Sequence, residues 1–210
     1  MITFEEAKEL SKGYKVVPIS MEIMSDIKTP MQVLRILKGV SSHCYMLESV
    51  ENQEKWGRYT FLGYDPKLEI TCTNGLMTVK NGKTEVSEVK HPGEKIKEIL
   101  KEYTSPKIKE FPTFTGGLVG YFSYDYIKYS EPKLNLDAND EEGFKDVDLM
   151  LFDKVIAFDN FSQKIIVIAN ARTENLREDY DRCVDEINKI IELISCLLYT
   201  SPSPRDLSTS

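Results

Sequence analysis

Residues 68–89 read LEITCTNGLMTVKNGKTEVSEV, and this stretch decides the fold class. Its short runs of β-branched and apolar residues are interrupted twice, at Asn74-Gly75 and at Asn81-Gly82. An Asn-Gly pair between such runs is typical of the type I′ turn of a β-hairpin, which needs positive φ at both central positions. The stretch therefore predicts a meander of short antiparallel strands from Leu68 to Val89.

More strands are predicted on both sides of this meander. Pro18 lies inside a strand-like run and cannot donate a ladder hydrogen bond, so we expect that strand near the edge of a sheet. Asp159-Asn160 is predicted as a turn between two apolar strands. The predicted strands are 14–23, 43–49, 58–64, 115–124, 148–158 and 164–169, in addition to the meander.

Helices are predicted at both ends and in the middle of the chain. Thr3 and Glu6 have the spacing of a capping box, and Thr29-Pro30 places proline at the first position of a second helix. Apolar residues at helical spacing predict two more helices, around 96–103 and over 176–194. The sequence thus predicts an α+β fold of mainly antiparallel, sandwich-like β-sheets with flanking helices.

The composition argues against several classes of protein. Of the 210 residues 41% are apolar and 29% charged, as in soluble globular proteins. Lys plus Arg is 27 against 34 for Asp plus Glu, a net charge of −7, which disfavours nucleic-acid binding. No apolar run approaches the roughly 18 residues of a membrane span, and the acidic N-terminus is unlike a signal peptide. We therefore expect a cytoplasmic protein that binds neither nucleic acid nor membrane.

Cysteine and histidine spacing predicts no metal site. The four cysteines form no CxxC pair and are expected to be reduced thiols in a cytosolic protein. His43 and His91 stand apart, whereas a zinc site needs ligands that lie close together.

The C-terminal end differs in character from the rest. Residues 195–210, SCLLYTSPSPRDLSTS, are rich in Ser, Thr and Pro and have no helical or strand period. Such a composition predicts a disordered tail. The stretch also resembles translated sequencing adapter, so we interpret it as non-native. The expected organisation is one domain over 1–194, truncated near Ile194, and a tail over 195–210.

Two motifs invite a functional interpretation. Gly116-Gly117 and Gly120 suggest a phosphate loop, but the Lys-Ser/Thr of a P-loop is missing, so a strand with close backbone approaches is favoured. Glu48-Ser49 lies at the C-terminal end of a predicted strand and could bind the ammonium and carboxylate of an amino acid, although such a pair at a strand end is more often simply solvated. No nucleophile, base and orienting group occur together, so no catalytic residue is predicted.

In their order along the chain these signals resemble anthranilate synthase component I, a member of the chorismate-utilising enzymes. The likeness covers residues 14–194, and its most specific motifs are LES at 47–49 with GRYTFLG at 57–63, and GGLVGYFSYD at 116–125. The resemblance implies the N-terminal domain of an enzyme that makes anthranilate and pyruvate from chorismate. It further implies Mg²⁺ at the chorismate site, ammonia from a glutamine amidotransferase subunit, and feedback inhibition by L-tryptophan.

The resemblance also implies where tryptophan binds. The serine of the family's LLES motif falls on Ser49, and the GRY segment borders the same pocket. The effector-binding residues implied in this way are Leu47, Glu48, Ser49, Arg58, Tyr59, Thr60 and Phe61. The family's catalytic and Mg²⁺-binding residues lie in a C-terminal half that we expect to be absent, so this chain alone is expected to be inactive and to bind no metal.

Three alternatives stay open at this point. One is the sibling enzyme aminodeoxychorismate synthase component I, which shares the N-terminal architecture. Another is a stand-alone amino-acid-binding module without enzymatic activity. The last is an uncharacterised α+β domain whose motifs match by chance.

Overall fold

The computed structural model describes residues 1–48, 57–131, 133–134 and 143–196. Within these ranges the helices are α1 (Phe4–Leu10), α2 (Pro30–Val40), α3 (Pro92–Lys101) and α4 (Leu176–Cys196), with short 3-10 helices at Ser25–Ile27 and Tyr124–Tyr129. The strands are β1 (Val16–Met24), β2 (Cys44–Glu48), β3 (Tyr59–Tyr64), β4 (Leu68–Thr73), β5 (Leu76–Asn81), β6 (Lys83–Glu88), β7 (Gly117–Phe122), β8 (Val147–Phe152), β9 (Lys154–Asp159) and β10 (Lys164–Arg172).

The strands form two five-stranded antiparallel sheets. Sheet A has the order β1-β10-β9-β3-β2, and sheet B has the order β6-β5-β4-β8-β7. The predicted α+β class is confirmed, and β1, which carries Pro18, lies at an edge of sheet A as expected. No helix in the described ranges is long and apolar enough to cross a bilayer.

Helices cover one face of sheet A and form the main core with it. Side chains alternate between the two faces of a strand, and Ile19, Leu62 and Val167 point to the covered face. They pack with Leu37 of α2 and Ile187 of α4, all of which are fully buried. At roughly 2 kcal/mol for each buried aliphatic side chain, this layer supplies most of the hydrophobic stabilisation of the sheet.

The helices begin where their capping residues predict. Thr3 and Thr29 each accept a hydrogen bond from the third helical residue, whose side chain binds the capping backbone N–H in return. Pro30 is the first residue of α2, as predicted. At the other end of the chain, α4 extends to Cys196, two residues beyond the predicted end of the helix, and 197–210 lie outside the described residues.

The two Asn-Gly pairs both make tight turns, but of different geometry. Asn74 and Gly75 have φ of 50° and 79°, as a type I′ turn requires. At the second pair only Gly82 has positive φ, 67°, so the type I′ prediction is wrong there although the hairpin forms. The antiparallel meander over β4, β5 and β6 is therefore confirmed.

The stretch 148–158, predicted as one strand, is two strands in different sheets. β8 pairs with β4 and β7 in sheet B, whereas β9 pairs with β10 and β3 in sheet A. The chain changes sheets at Asp153, between Phe152 and Lys154. The apolar residues of β8 and of β9 are both buried, so the hydrophobic pattern of the sequence continues across Asp153.

A buried polar cluster ties the first turn of the meander to sheet B. Asp146 accepts hydrogen bonds from Tyr129 Oη at 2.6 Å and from the Asn74 backbone N–H at 2.7 Å. Tyr129 Oη accepts in turn from Gly75 N at 2.7 Å, and Lys128 pairs with Asp146 at 2.7 Å. The acidic, Pro- and Asn-containing stretch 131–146 predicts an exposed loop, and this prediction is wrong for Asp146, of which only 3% is exposed.

Candidate functional site

The β2–β3 hairpin positions most of the predicted effector-binding residues. In its antiparallel register Leu47 lies opposite Phe61, and Glu48 lies opposite Thr60. Residues opposite each other share a face of the sheet, and neighbours along a strand point to opposite faces. The hairpin therefore separates the predicted set into two groups.

Leu47, Tyr59 and Phe61 lie on the face of sheet A that points away from the main helical core. Tyr59 and Phe61 pack on a second apolar cluster that includes Val155 and Ala157. Leu47 stays half-exposed at the edge of the sheet. The structure thus brings these three predicted residues together.

An aromatic wall extends this group. Phe61 makes edge contacts with Phe114 at 5.7 Å between ring centroids, and Tyr59 lies 5.7 Å from Phe61. Tyr45 contacts Phe114 at 6.4 Å, and its buried hydroxyl group has no hydrogen-bond partner within the described residues. We call Tyr45, Leu47, Tyr59, Phe61 and Phe114 the aromatic wall.

Glu48 and Thr60 lie on the other face. Thr60 is fully buried, and its hydroxyl group accepts a weak hydrogen bond from Asn160 Nδ2 at 3.4 Å. Glu48 is exposed at the end of β2. Neither side chain shares a face with the aromatic wall, and their role in tryptophan binding stays a prediction.

Arg58 is fixed at the start of β3 by Asp159. Its Nε and Nη2 donate to the two oxygens of the Asp159 carboxylate at 2.5–3.1 Å, and its guanidinium lies 4.9 Å from the centre of the Tyr59 ring. The backbone N–H groups of Phe161 and Ser162 also donate to Asp159. Burial alone would raise the pKa of Asp159, but these hydrogen bonds outweigh it and hold that pKa well below its usual value.

Sequence reasoning missed three of these residues. Asp159 was recognised only as part of a turn, and its partner Arg58 is 101 residues away in the sequence, so no local pattern linked the two. Tyr45 lies two residues before Leu47, so the period of the strand could have placed both on one face. Phe114 has no such signal, because it lies in a loop before β7. Ser49 and Trp56 lie outside the described residues.

The glycine-rich run is a strand and not a phosphate loop. It forms β7 at the edge of sheet B, which confirms the prediction of a strand whose glycines allow close approach of the backbone. At Gly120, with φ of 152°, an added Cβ would overlap the carbonyl oxygen of Asp148. At Gly116 it would lie 2.7 Å from the Asn170 amide. The glycines are therefore required for packing.

Cysteines and histidines make no cluster in the described part of the chain. Cys44, Cys72 and Cys183 are free thiols, and burial raises the pKa of Cys183 to about 12. His43 lies 3.1 Å from the Ser42 hydroxyl group, and His91 precedes α3. Among the residues that the structure describes, no group of three or more His, Cys, Asp or Glu could hold a metal ion.

Comparison with known proteins agrees with this architecture. The model of a family described as chorismate binding enzyme matches residues 42–209, most of the chain. The chain belongs to this family.

Other chorismate-binding enzymes share the fold of this chain and part of its sequence. It is 34% identical over 190 residues to anthranilate synthase component 1 of Acetivibrio thermocellus, covering 90% of this chain and 38% of that protein. It is 33% identical over 193 residues to the Aquifex aeolicus protein of the same name, covering 91% and 39%. The crystal structure of anthranilate synthase component I from Streptococcus pneumoniae TIGR4 aligns with a TM-score of 0.53 and 25% identity, over 89% of this chain and 38% of that one. The resemblance to component I is thus confirmed, and the chain spans somewhat more than a third of the length of these relatives.

Proposed function

We propose that this chain is the tryptophan-sensing part of an anthranilate synthase component I. The whole enzyme would convert chorismate and ammonia to anthranilate and pyruvate, with ammonia supplied by a glutamine amidotransferase subunit. Family membership and the anthranilate synthase names of the relatives support this reaction over the aminodeoxychorismate alternative. A cytoplasmic location follows from the same proposal.

The aromatic wall is the observation that carries the sensing role. An indole ring needs a broad apolar surface, and edge contacts with aromatic side chains add about 0.5–1.5 kcal/mol each. Phe61 and Tyr59 offer such a surface next to Leu47, and Ser49 follows in the chain two residues after Leu47. Arg58, held by Asp159 at the start of β3, brings guanidinium hydrogen-bond donors to the same end of the sheet.

In this proposal chorismate and Mg²⁺ do not bind to the described residues. The described residues contain no cluster of carboxylates that fits a Mg²⁺ ion, and none of them is proposed as catalytic. We propose that both bind to the part of the enzyme that corresponds to the region of the relatives outside the alignment with this chain. Formation of anthranilate by this chain alone would contradict that assignment.

Calorimetric titration of the chain with L-tryptophan tests the sensing role. We expect saturable binding that Ser49→Ala weakens by about tenfold or more, because one hydrogen bond to a charged group contributes roughly 1.5–3 kcal/mol. Phe61→Ala should weaken it as well, because it removes the centre of the aromatic wall.

Ser87→Ala is the matched control. Ser87 lies on the exposed strand β6 of sheet B, so its loss should leave tryptophan binding unchanged. Equal affinities of the Ser49→Ala variant and the unsubstituted chain would remove Ser49 from the site. Absence of saturable tryptophan binding to the chain would contradict the sensing role.

A further inference from the structure

Asp153, at the step between the two sheets, is a buried carboxylate without enough partners. Its side chain is 9% exposed, and its Oδ1 has no hydrogen-bond partner within the described residues. The nearest cation to Oδ2 is Lys67 Nζ at 3.6 Å, which is too long for a strong hydrogen bond. Burial raises the pKa of Asp153. A buried polar atom of this kind is costly unless something else supplies the missing donor.

The neighbouring Lys154 does not supply it. Lys154 Nζ is bound to Asp65 at 2.8 Å and to Glu186 at 3.1 Å, and it lies over the ring of Tyr64. Its ammonium group is therefore committed to the helix-covered side of sheet A. A hydrogen-bond donor for Asp153 can instead reach it from the open space that its side chain lines.

That space is a cavity of about 270 Å³ at the junction of the two sheets. One water molecule occupies about 30 Å³ of liquid, so the cavity is much larger than a single buried water requires. A smaller cavity of about 100 Å³ adjoins it and shares Asp153, Asn170 and Tyr103 with it. The lining of the smaller cavity includes the apolar side chains of Leu100 and Leu151.

Some of the charged side chains that line the larger cavity already have partners, and others do not. Arg182 and Asp179 also line it, but they neutralise each other through hydrogen bonds at 3.1 and 3.3 Å. Arg172 uses one nitrogen, Nη1, to bind the carbonyl oxygen of Glu102, and its guanidinium lies over the Tyr103 ring at 4.2 Å.

The other side-chain nitrogens of Arg172 have no partner among the described residues, and Lys67 is half-exposed. Two cations and one anion therefore face the cavity with unused hydrogen-bonding capacity. A ligand that complements them carries a negative and a positive group close together.

We propose that this cavity binds a zwitterionic α-amino acid with an aliphatic side chain. Its ammonium group binds Asp153, its carboxylate group binds Lys67 and Arg172, and its side chain enters the smaller cavity toward Leu100 and Leu151.

The site is distinct from the tryptophan site proposed above. β9 runs antiparallel to β3, so Asp153 lies beside the Tyr64 end of β3 and Arg58 at the Tyr59 end. Five strand residues separate these ends by roughly 17 Å.

Titration calorimetry with L-leucine as the probe tests this proposal on the whole chain. We expect saturable binding of L-leucine, and at least about tenfold weaker binding of 4-methylpentanoate, which lacks the ammonium group, and of 3-methylbutylamine, which lacks the carboxylate. D153N, R172Q and K67Q should each weaken L-leucine binding by about tenfold or more. Lys67 is half-exposed, so K67Q keeps the test decisive even if D153N or R172Q unfolds.

Two surface variants serve as controls. S87A and K38Q should bind L-leucine like the unsubstituted chain, because Ser87 and Lys38 are exposed residues of β6 and α2 that do not line either cavity. Lack of saturable L-leucine binding at millimolar concentration, as expected if the cavity holds water only, would overturn the proposal. So would unchanged binding in both D153N and K67Q, or competition between L-leucine and L-tryptophan.

Discussion

Sheets A and B are both five-stranded and antiparallel, yet different interactions hold them together. In sheet A, β9 is buried along its whole length and β1 pairs with β10 from Val16↔Arg172 to Met24↔Lys164. In sheet B, β6 is exposed along its whole length and is joined to β5 by a tight turn at Gly82. Sheet A thus depends on burial and on partners distant in sequence, whereas the outer half of sheet B depends on local turn geometry.

The largest contrast should appear when one aliphatic side chain is removed from each sheet. Ile168, in β10, is fully buried, so Ile168→Ala should lower the free energy of unfolding by about 2–5 kcal/mol. Val86, in β6, is 57% exposed, so Val86→Ala should change it by less than about 0.5 kcal/mol. Urea denaturation followed by circular dichroism measures both, and similar losses would refute the contrast.

For glycine substitutions we expect the opposite order, with the larger loss of stability in sheet B. Gly120, in β7 of sheet B, has φ of 152°, and an added methyl group would overlap the Asp148 carbonyl oxygen, so Gly120→Ala should destabilise by about 1–3 kcal/mol. Gly39, in α2 above sheet A, faces open space, so Gly39→Ala should stabilise the chain by about 0.5–1 kcal/mol. Thermal unfolding of the two variants should give shifts of opposite sign, and a stabilised Gly120→Ala variant would contradict the strand geometry.

Acid sensitivity should be shared by the two sheets. Asp159 anchors sheet A through Arg58, and Asp146 anchors sheet B through Tyr129 and Lys128. Burial would raise the pKa of each carboxyl group, but the hydrogen bonds outweigh burial, and both pKa values lie below normal. Their stabilisation is therefore present above the unfolded pKa of about 3.9 and is lost as the pH falls below it.

Asp159→Asn and Asp146→Asn test this expectation. Each should lower stability at neutral pH by about 1–2 kcal/mol, and each difference from the unsubstituted chain should shrink as the pH falls toward about 3. Unfolding free energies measured over this pH range give the slope directly. A constant difference at all pH values would show that the lost contact is steric and not electrostatic.

The sequence predicted the local elements of the fold well and their long-range assembly poorly. Asn74-Gly75 specifies a turn through its own backbone preference, and Thr29-Pro30 specifies a helix start in the same way. The division of 148–158 between two sheets was not predictable from hydrophobic period, because both halves are buried. The charged pair Asp153-Lys154 inside the apolar run was the one local sign of the change.

The candidate site shows the same limit. Leu47 and Phe61 were chosen through family resemblance, and the hairpin register places them opposite each other. Glu48 and Thr60 were chosen on the same grounds, and strand alternation puts them on the other face. The contact of Phe114 with Phe61 depends on two segments that are far apart in sequence, and no local pattern encodes that distance.

The pairing of β1 with β10 also determines when the molecule can be completed during synthesis. Val16 and Arg172 are about 150 residues apart, and ribosomes add about 5–20 residues per second. The first strand therefore leaves the ribosome roughly 10–30 s before its partner exists. During that interval Val17 and Ile19 have no sheet to join, while the hairpins of β4, β5 and β6 can already close. The newly made chain consequently exposes an unpaired apolar strand until β10 emerges, and exposed surface of this kind is what chaperones bind.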